Sequence, residues 1–155
     1  IVKSISKSFG VPGLRIGTLV SDNMDIINFI RKDVSIWNIN SFAEFYLQIF
    51  EKYKSDYENA MKEFKKVRNS FIEKLSKIKN LRVMPTQANY VMCEVLGEYT
   101  TKELTANLLS NYNIFIQDLS SQKGIDGQFI RIAIKNQEEN NKLIEALQNI
   151  LNQLA

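Results

Sequence analysis

Ser4-Ile5-Ser6-Lys7-Ser8-Phe9-Gly10-Val11-Pro12-Gly13-Leu14-Arg15-Ile16-Gly17 is the stretch on which the reading of this chain turns. The hydroxyls of Ser4 and Ser6 can donate hydrogen bonds, and Arg15 is a permanent planar cation able to grip a phosphate through two parallel bonds. Gly10, Gly13 and Gly17 let the backbone turn sharply and come close to a ligand. Lys7 places a primary amine among these groups. The segment therefore combines an anion site with a nitrogen nucleophile.

A lysine amine beside a phosphate site is what pyridoxal phosphate requires: the aldehyde forms a Schiff base with the amine while the phosphate anchors the ring. Each residue alone has a plainer reading. Lys7 could be a surface loop lysine, Arg15 a salt-bridge partner, and Ser6 a turn or capping residue. Their joint spacing, with the arginine eight residues after the lysine, favours the site.

This pattern resembles the lysine motif of fold-type I pyridoxal-phosphate aminotransferases, S-x-S-K, a glycine-rich turn, then G-x-R-aliphatic-G. The resemblance implies that Lys7 is the Schiff-base lysine and that Ser4, Ser6 and Arg15 hold the phosphate. Three further segments resemble the branch containing histidinol-phosphate aminotransferase and threonine-phosphate decarboxylase. They are Trp37-Asn38-Ile39-Asn40-Ser41-Phe42-Ala43, Gln87-Ala88-Asn89-Tyr90, and Phe129-Ile130-Arg131-Ile132-Ala133-Ile134 with Glu138-Glu139-Asn140. In that branch the arginine of the last segment binds the substrate α-carboxylate, so Arg131 is the candidate here. One position departs from the pattern: Gln117 stands where relatives that take phosphorylated substrates usually carry arginine. This counts against a phosphorylated substrate.

Working outward, residues 1–6 read as a strand running into a turn, and Leu14–Val20 as a second strand. Asp22–Asp33 reads as a helix capped by Asp22. From Ser41 to Asn80 there is no glycine or proline, and apolar residues recur every three or four positions. This predicts one long amphipathic helix, or two with a bend, with Asn38 and Asn40 shaping and capping its start. Strands follow at Leu81–Pro85 and Ala88–Val95. A helix over Thr101–Tyr112 has Thr100 or Thr101 as cap and Leu104, Leu108 and Leu109 as its buried face. Strands at Ile114–Gln117 and Phe129–Ile134 and a closing helix over Asn136–Leu154 complete a β-β-α-β-β-α order.

The expected fold class is α/β, an α+β fragment forming the C-terminal part of a fold-type I pyridoxal-phosphate transferase. Residues 1–41 would end the large cofactor-binding domain, 42–79 form a connecting helix, and 80–155 a small α+β domain. The chain opens Ile1-Val2-Lys3 without an initiator methionine, and a fragment is expected. The ring-nitrogen aspartate, the stacking aromatic and the remaining phosphate donors would lie upstream of Ile1. The 155 residues alone are expected to show little or no activity.

Composition narrows the chemistry. With 20 basic and 17 acidic residues the net charge is only +3, which implies neither a nucleic-acid nor a membrane partner. No histidine is present, which excludes Ser-His-Asp and Cys-His catalysis and His-ligated zinc within this chain. The single cysteine, Cys93, rules out an internal disulfide or a Cys-cluster metal site, and its apolar neighbours mark it as a core residue. No apolar run approaches the ~20 residues that span a bilayer. A homodimeric aminotransferase, moving an amino group between an amino acid and a keto acid, is what the resemblance implies, and the lone free cysteine fits a reducing cytoplasm. The alternatives are a decarboxylase of the same fold, or a non-catalytic interaction domain for the isolated fragment.

Overall fold

In the computed structural model, which describes residues 1–152, the chain forms two units, Ile1–Met61 and Lys62 onward. The boundary falls inside the segment read as a connecting helix.

In the first unit, β1 (Val2–Ser4) pairs antiparallel with β2 (Gly17–Leu19), and Ser4 lies opposite Gly17. Between them run one helical turn, α1 (Ile5–Ser8), and a 3-10 turn at Pro12–Leu14. The strand expected over residues 1–6 therefore stops at Ser4, and Ser6 and Lys7 stand on α1. Two helices follow, α2 (Met24–Arg31) and α3 (Ser41–Phe50). Asn23, not Asp22, caps α2, because its side chain reaches the amides of Asp25 and Ile26. Asn40 caps α3 by accepting from the Ala43 amide. The inner cluster is small: Ile5, Ile16 and Ala43, with Phe9, Leu14 and Tyr46 packed on it. Phe9 extends it through aromatic contacts with Phe50 and Tyr57, whose ring centroids lie 4.7 and 4.6 Å away.

The long periodic segment is helical almost throughout, in two α-helices with a 3-10 turn between them. A 3-10 turn at Glu51–Tyr53 separates α3 from α4 (Lys54–Leu75). With no glycine or proline present, the backbone at the junction keeps right-handed helical angles.

The second unit is a four-stranded antiparallel sheet in the order β3-β4-β6-β5. Its strands are β3 (Leu81–Val83), β4 (Tyr90–Val95), β5 (Gln117–Asp118) and β6 (Phe129–Ala133). Alternation decides which face is covered. Val91, Cys93 and Val95 point inward, and so do Ile130 and Ile132. Phe71 and Leu75 of α4 close over them, with Leu104 and Leu108 of α5 (Thr101–Tyr112) and Leu143, Leu147 and Leu151 of α6 (Gln137–Leu151). The β-β-α-β-β-α order is observed.

Several details differ from expectation. Leu109 is half exposed, because the buried stripe of α5 runs through Thr101, Leu104 and Leu108 and Leu109 lies a quarter-turn away. The strand expected at Ile114–Gln117 pairs only at Gln117–Asp118. The chain leaves α5 through a left-handed Asn113, and the Ile114 amide turns back to the Leu108 carbonyl. Thr100 is the cap of α5, in a reciprocal capping box with Glu103. Asn136 caps α6, and the Leu154 end expected for that helix lies outside the described residues.

Candidate cofactor site

The lysine segment is a loop closed at its base by Ser6. The Ser6 amide donates to the Ile16 carbonyl at 3.1 Å, and its hydroxyl donates to the same carbonyl at 3.2 Å. That hydroxyl also accepts the Ile16 amide at 2.8 Å. Ser6 is buried, and both capacities of its hydroxyl serve the backbone. The Ser6 carbonyl takes the Val11 amide at 2.9 Å, which folds the loop back upon α1. Gly10 adopts φ +68°, a left-handed conformation that glycine accepts without strain. At Gly17 a Cβ would lie 3.3 Å from the Lys3 carbonyl, so a side chain there would crowd the β1–β2 pairing.

Two long-range bonds fix the loop within its unit. The Asn40 side chain caps α3 with its oxygen and donates its amide nitrogen to the Leu14 carbonyl at 2.9 Å. Tyr57 donates its hydroxyl to the Ser8 carbonyl at 3.1 Å. Ser8, next to Lys7, is thus held from α4, and Leu14, next to Arg15, from the cap of α3. The capping half of Asn40 was readable from its place before Ser41. The bonds to Leu14 and Ser8 had no sequence signal.

What this frame presents is a set of donors. Ser4, at the start of α1, is exposed and makes no side-chain capping bond. Lys7 is exposed on α1. Arg15 is exposed, and its one hydrogen bond is a long 3.4 Å contact from Nη1 to the Pro12 carbonyl. Among the described residues, Lys7 and Arg15 have no ion-pair partner. Arg15 also sits at φ 53°, ψ 46°. A non-glycine residue held left-handed costs on the order of 1–3 kcal/mol, and such strain clusters at ligand sites. An exposed hydroxyl, an amine and a guanidinium that among the described residues have no carboxylate partner, around one glycine-containing turn, suit a phosphate-bearing aldehyde. The donor chemistry therefore fits pyridoxal phosphate.

Arg131 lies in the second unit, on the open face of the sheet. In register it stands between Met92 of β4 and Gln117 of β5. It is exposed, and among the described residues no carboxylate pairs with it. On the same face Arg82 is neutralised by Glu94, which is directly opposite it. Arg131 instead has its guanidinium carbon 5.4 Å from the centre of the Tyr90 ring.

Cys93 is fully buried, and burial pushes its thiol up to about 12. It is a core residue with no thiolate at neutral pH. Asn89 gives its carbonyl to the Ile134 amide at 2.9 Å. Among the described residues no helix is long and apolar enough to cross a membrane.

Comparison with known proteins extends these local observations along the chain. Residues 1–147 match the family described as Aminotransferase class I and II. An L-serine phosphate decarboxylase of Sulfurospirillum multivorans is 36% identical over 153 residues, covering 97% of this chain and 39% of that protein. The crystal structure of the histidinol-phosphate aminotransferase from Clostridium acetobutylicum superposes with a TM-score of 0.87 at 33% identity, covering 99% of this chain and 46% of that one. The L-threonine-O-3-phosphate decarboxylase from Porphyromonas gingivalis gives a TM-score of 0.81 at 26% identity, covering 97% of this chain and 46% of that one. The chain thus spans less than half the length of these relatives.

Proposed function

The chain belongs to the class I and II aminotransferase family, whose members are pyridoxal-phosphate enzymes, and on that premise we propose that the whole protein breaks a bond at the α-carbon of an amino acid. The observation that carries this reading is a set of three exposed donors, Ser4, Lys7 and Arg15, at and just before a loop stapled by Ser6, with only one long 3.4 Å bond from Arg15 to the Pro12 carbonyl among their side chains in the described residues. When bound, the cofactor withdraws electrons from the substrate α-carbon and so lowers the cost of breaking a bond there. Lys7 would hold the cofactor, and its Nζ would serve as the base that takes a proton at the α-carbon. A lysine base suits a chain without histidine. Arg15 and Ser4 hold the phosphate. Ser6 closes the loop that positions both, which is a different task from the phosphate contact its motif position implies. Arg131 orients the α-carboxylate through a bidentate pair.

Arg131 also separates the two candidate reactions. A guanidinium that grips the α-carboxylate stabilises that group throughout the reaction and favours proton loss, hence amino transfer. Decarboxylation would require that ion pair to be given up as carbon dioxide leaves. In a decarboxylase Arg131 would better serve a second anionic group on the substrate. The decarboxylase reading is supported by the 36% identity to an L-serine phosphate decarboxylase. Gln117, a neutral residue beside Arg131, supports the transfer of an amino group from an unphosphorylated amino acid. We further propose a cytoplasmic homodimer, on family grounds.

Borohydride reduction of the full-length, cofactor-loaded protein should place the pyridoxyl label on Lys7. Lys7→Ala should abolish the label and lower turnover by at least about 10³-fold. Label persisting in Lys7→Ala would overturn the reading. Carbon dioxide release, set against keto-acid-dependent amine transfer, separates the two reactions.

A further inference from the structure

Arg131 lacks what usually orients an arginine. It stands mid-strand on an open sheet face with no carboxylate and no hydrogen-bond partner among the described residues. A long side chain so placed samples many rotamers, and a ligand must bear the cost of ordering it. Its one directional contact is with Tyr90, at 5.4 Å. Tyr90 is the diagonal neighbour on β4, two residues from the Met92 that faces Arg131, and aromatic side chains span that separation.

Tyr90 is itself held by a built loop. The Thr86 hydroxyl donates to the Tyr90 carbonyl at 2.8 Å and accepts the Ala88 amide at 3.0 Å. From α4, Arg68 sends Nη1 to the Gln87 carbonyl at 2.7 Å and Nη2 to the Gln87 side-chain oxygen at 3.1 Å. Arg68 is 8% exposed, has no carboxylate partner, and leaves Nε unpaired. Its other contact is the Phe64 ring of the same helix, 5.9 Å from the guanidinium carbon, and a buried cation met only by a neutral loop and a ring is a costly way to stabilise a helix. Its fork holds Gln87, three residues before the start of β4 at Tyr90.

We propose that Tyr90 is a positioning residue for Arg131, and that Arg68, through its fork on Gln87, holds Tyr90 in register. Resting on the assignment of Arg131 to a substrate anion, this defines a preorganised platform: Arg68, Gln87, Tyr90, Arg131. Tyr90 orients the guanidinium before substrate arrives and does not touch the reacting atoms. The ring is what matters, so phenylalanine should replace it.

The test uses the full-length protein loaded with pyridoxal phosphate. L-alanine and O-phospho-L-serine are titrated while the cofactor absorbance is followed. Arg131→Gln should weaken binding of the responding amino acid by at least about 30-fold. Tyr90→Leu should weaken it about three- to fivefold, with kcat little changed, and Tyr90→Phe should match wild type. Arg68→Met should resemble Tyr90→Leu. In an Arg131→Gln background, Tyr90→Leu should add nothing, because its effect passes through the guanidinium. A purely structural Tyr90 would give an additive loss and no rescue by phenylalanine, which overturns the inference. An effect of Arg131→Gln with none of Tyr90→Leu also overturns it and leaves the Arg131 assignment standing. Wild-type binding in Arg131→Gln, or no wild-type response to either amino acid, overturns that assignment and the inference with it.

Discussion

The unit spanning Ile1–Met61 encloses a cluster of only three buried apolar residues, Ile5, Ile16 and Ala43, whereas the unit from Lys62 onward buries side chains of three helices against a sheet face. Within these residues, which span less than half the length of the relatives, large apolar groups of the first unit are uncovered: Ile36 and Trp37 are about nine-tenths exposed, and Phe29 and Phe42 more than two-thirds. Polar bonds around one loop, Ser6 to Ile16, Asn40 to Leu14 and Tyr57 to Ser8, add there to the aromatic contacts of Phe9 with Phe50 and Tyr57. The contrast separates two ways of holding a structure. Burial stabilises in proportion to the apolar area removed from water and needs no directed bond. A staple stabilises little in net terms, but leaving its partner unmet is expensive, so it fixes geometry where there is little core.

This contrast can be broken first in the second unit. Phe71 is 2% exposed at the centre of the larger core. Phe71→Ala should cost about 3–5 kcal/mol in the full-length protein, read as a lowered melting temperature or denaturant midpoint. A change near zero would mean that this cluster does not hold its unit.

The next effect belongs to the first unit. Ser6→Ala removes the hydroxyl that meets the Ile16 amide and should cost about 1–3 kcal/mol. Cofactor affinity should fall, since Lys7 and Arg15 lose their common anchor, yet the pyridoxyl label should still land on Lys7. A loss confined to phosphate binding, with no change in melting, would return Ser6 to the role of ligand.

The smallest effect probes a polar device inside the unit that depends least on such devices. Thr100→Ala removes the capping box of α5 and should cost about 1 kcal/mol. The Thr100 hydroxyl and amide hold the Glu103 carboxyl below its ordinary value. A depressed carboxyl adds stability above its unfolded value, near 4.3, and loses it as pH falls through the folded one. Thr100→Ala should therefore flatten that part of the acid limb of a stability profile, and an unchanged limb would remove the box as its cause.

Much of the second unit could be read from its residues, because strand alternation and helical spacing report directly which side of an element meets the core. Val91, Cys93 and Val95 alternate, and Leu104 and Leu108 recur at helical spacing. The misreadings occurred at edges. Leu109 sits beside the buried stripe, and the stretch after Asn113 is shaped by a left-handed cap before it can pair. Around the lysine, the identities of Ser4, Lys7 and Arg15 were visible as a motif, but the division of labour among them was not. Ser4 and Ser6 are chemically alike and two residues apart, yet one is exposed and the other is spent on Ile16.

The residues in their order determined which groups stand close in the chain: an amine, a guanidinium and hydroxyls on a glycine-rich turn, in 155 residues without histidine. They also determined the periods that build helices and strands, since both depend on neighbours a few positions away. The tertiary structure decided which of those groups remain available and how they are held. Asn40 meets Leu14 across 26 positions, Tyr57 meets Ser8 across 49, and Tyr90 comes beside Arg131 only because β4 and β6 pair. A hydroxyl or guanidinium takes whichever partner the folded backbone leaves unmet. That partner is chosen by chain segments far apart in sequence, so local order alone does not name it.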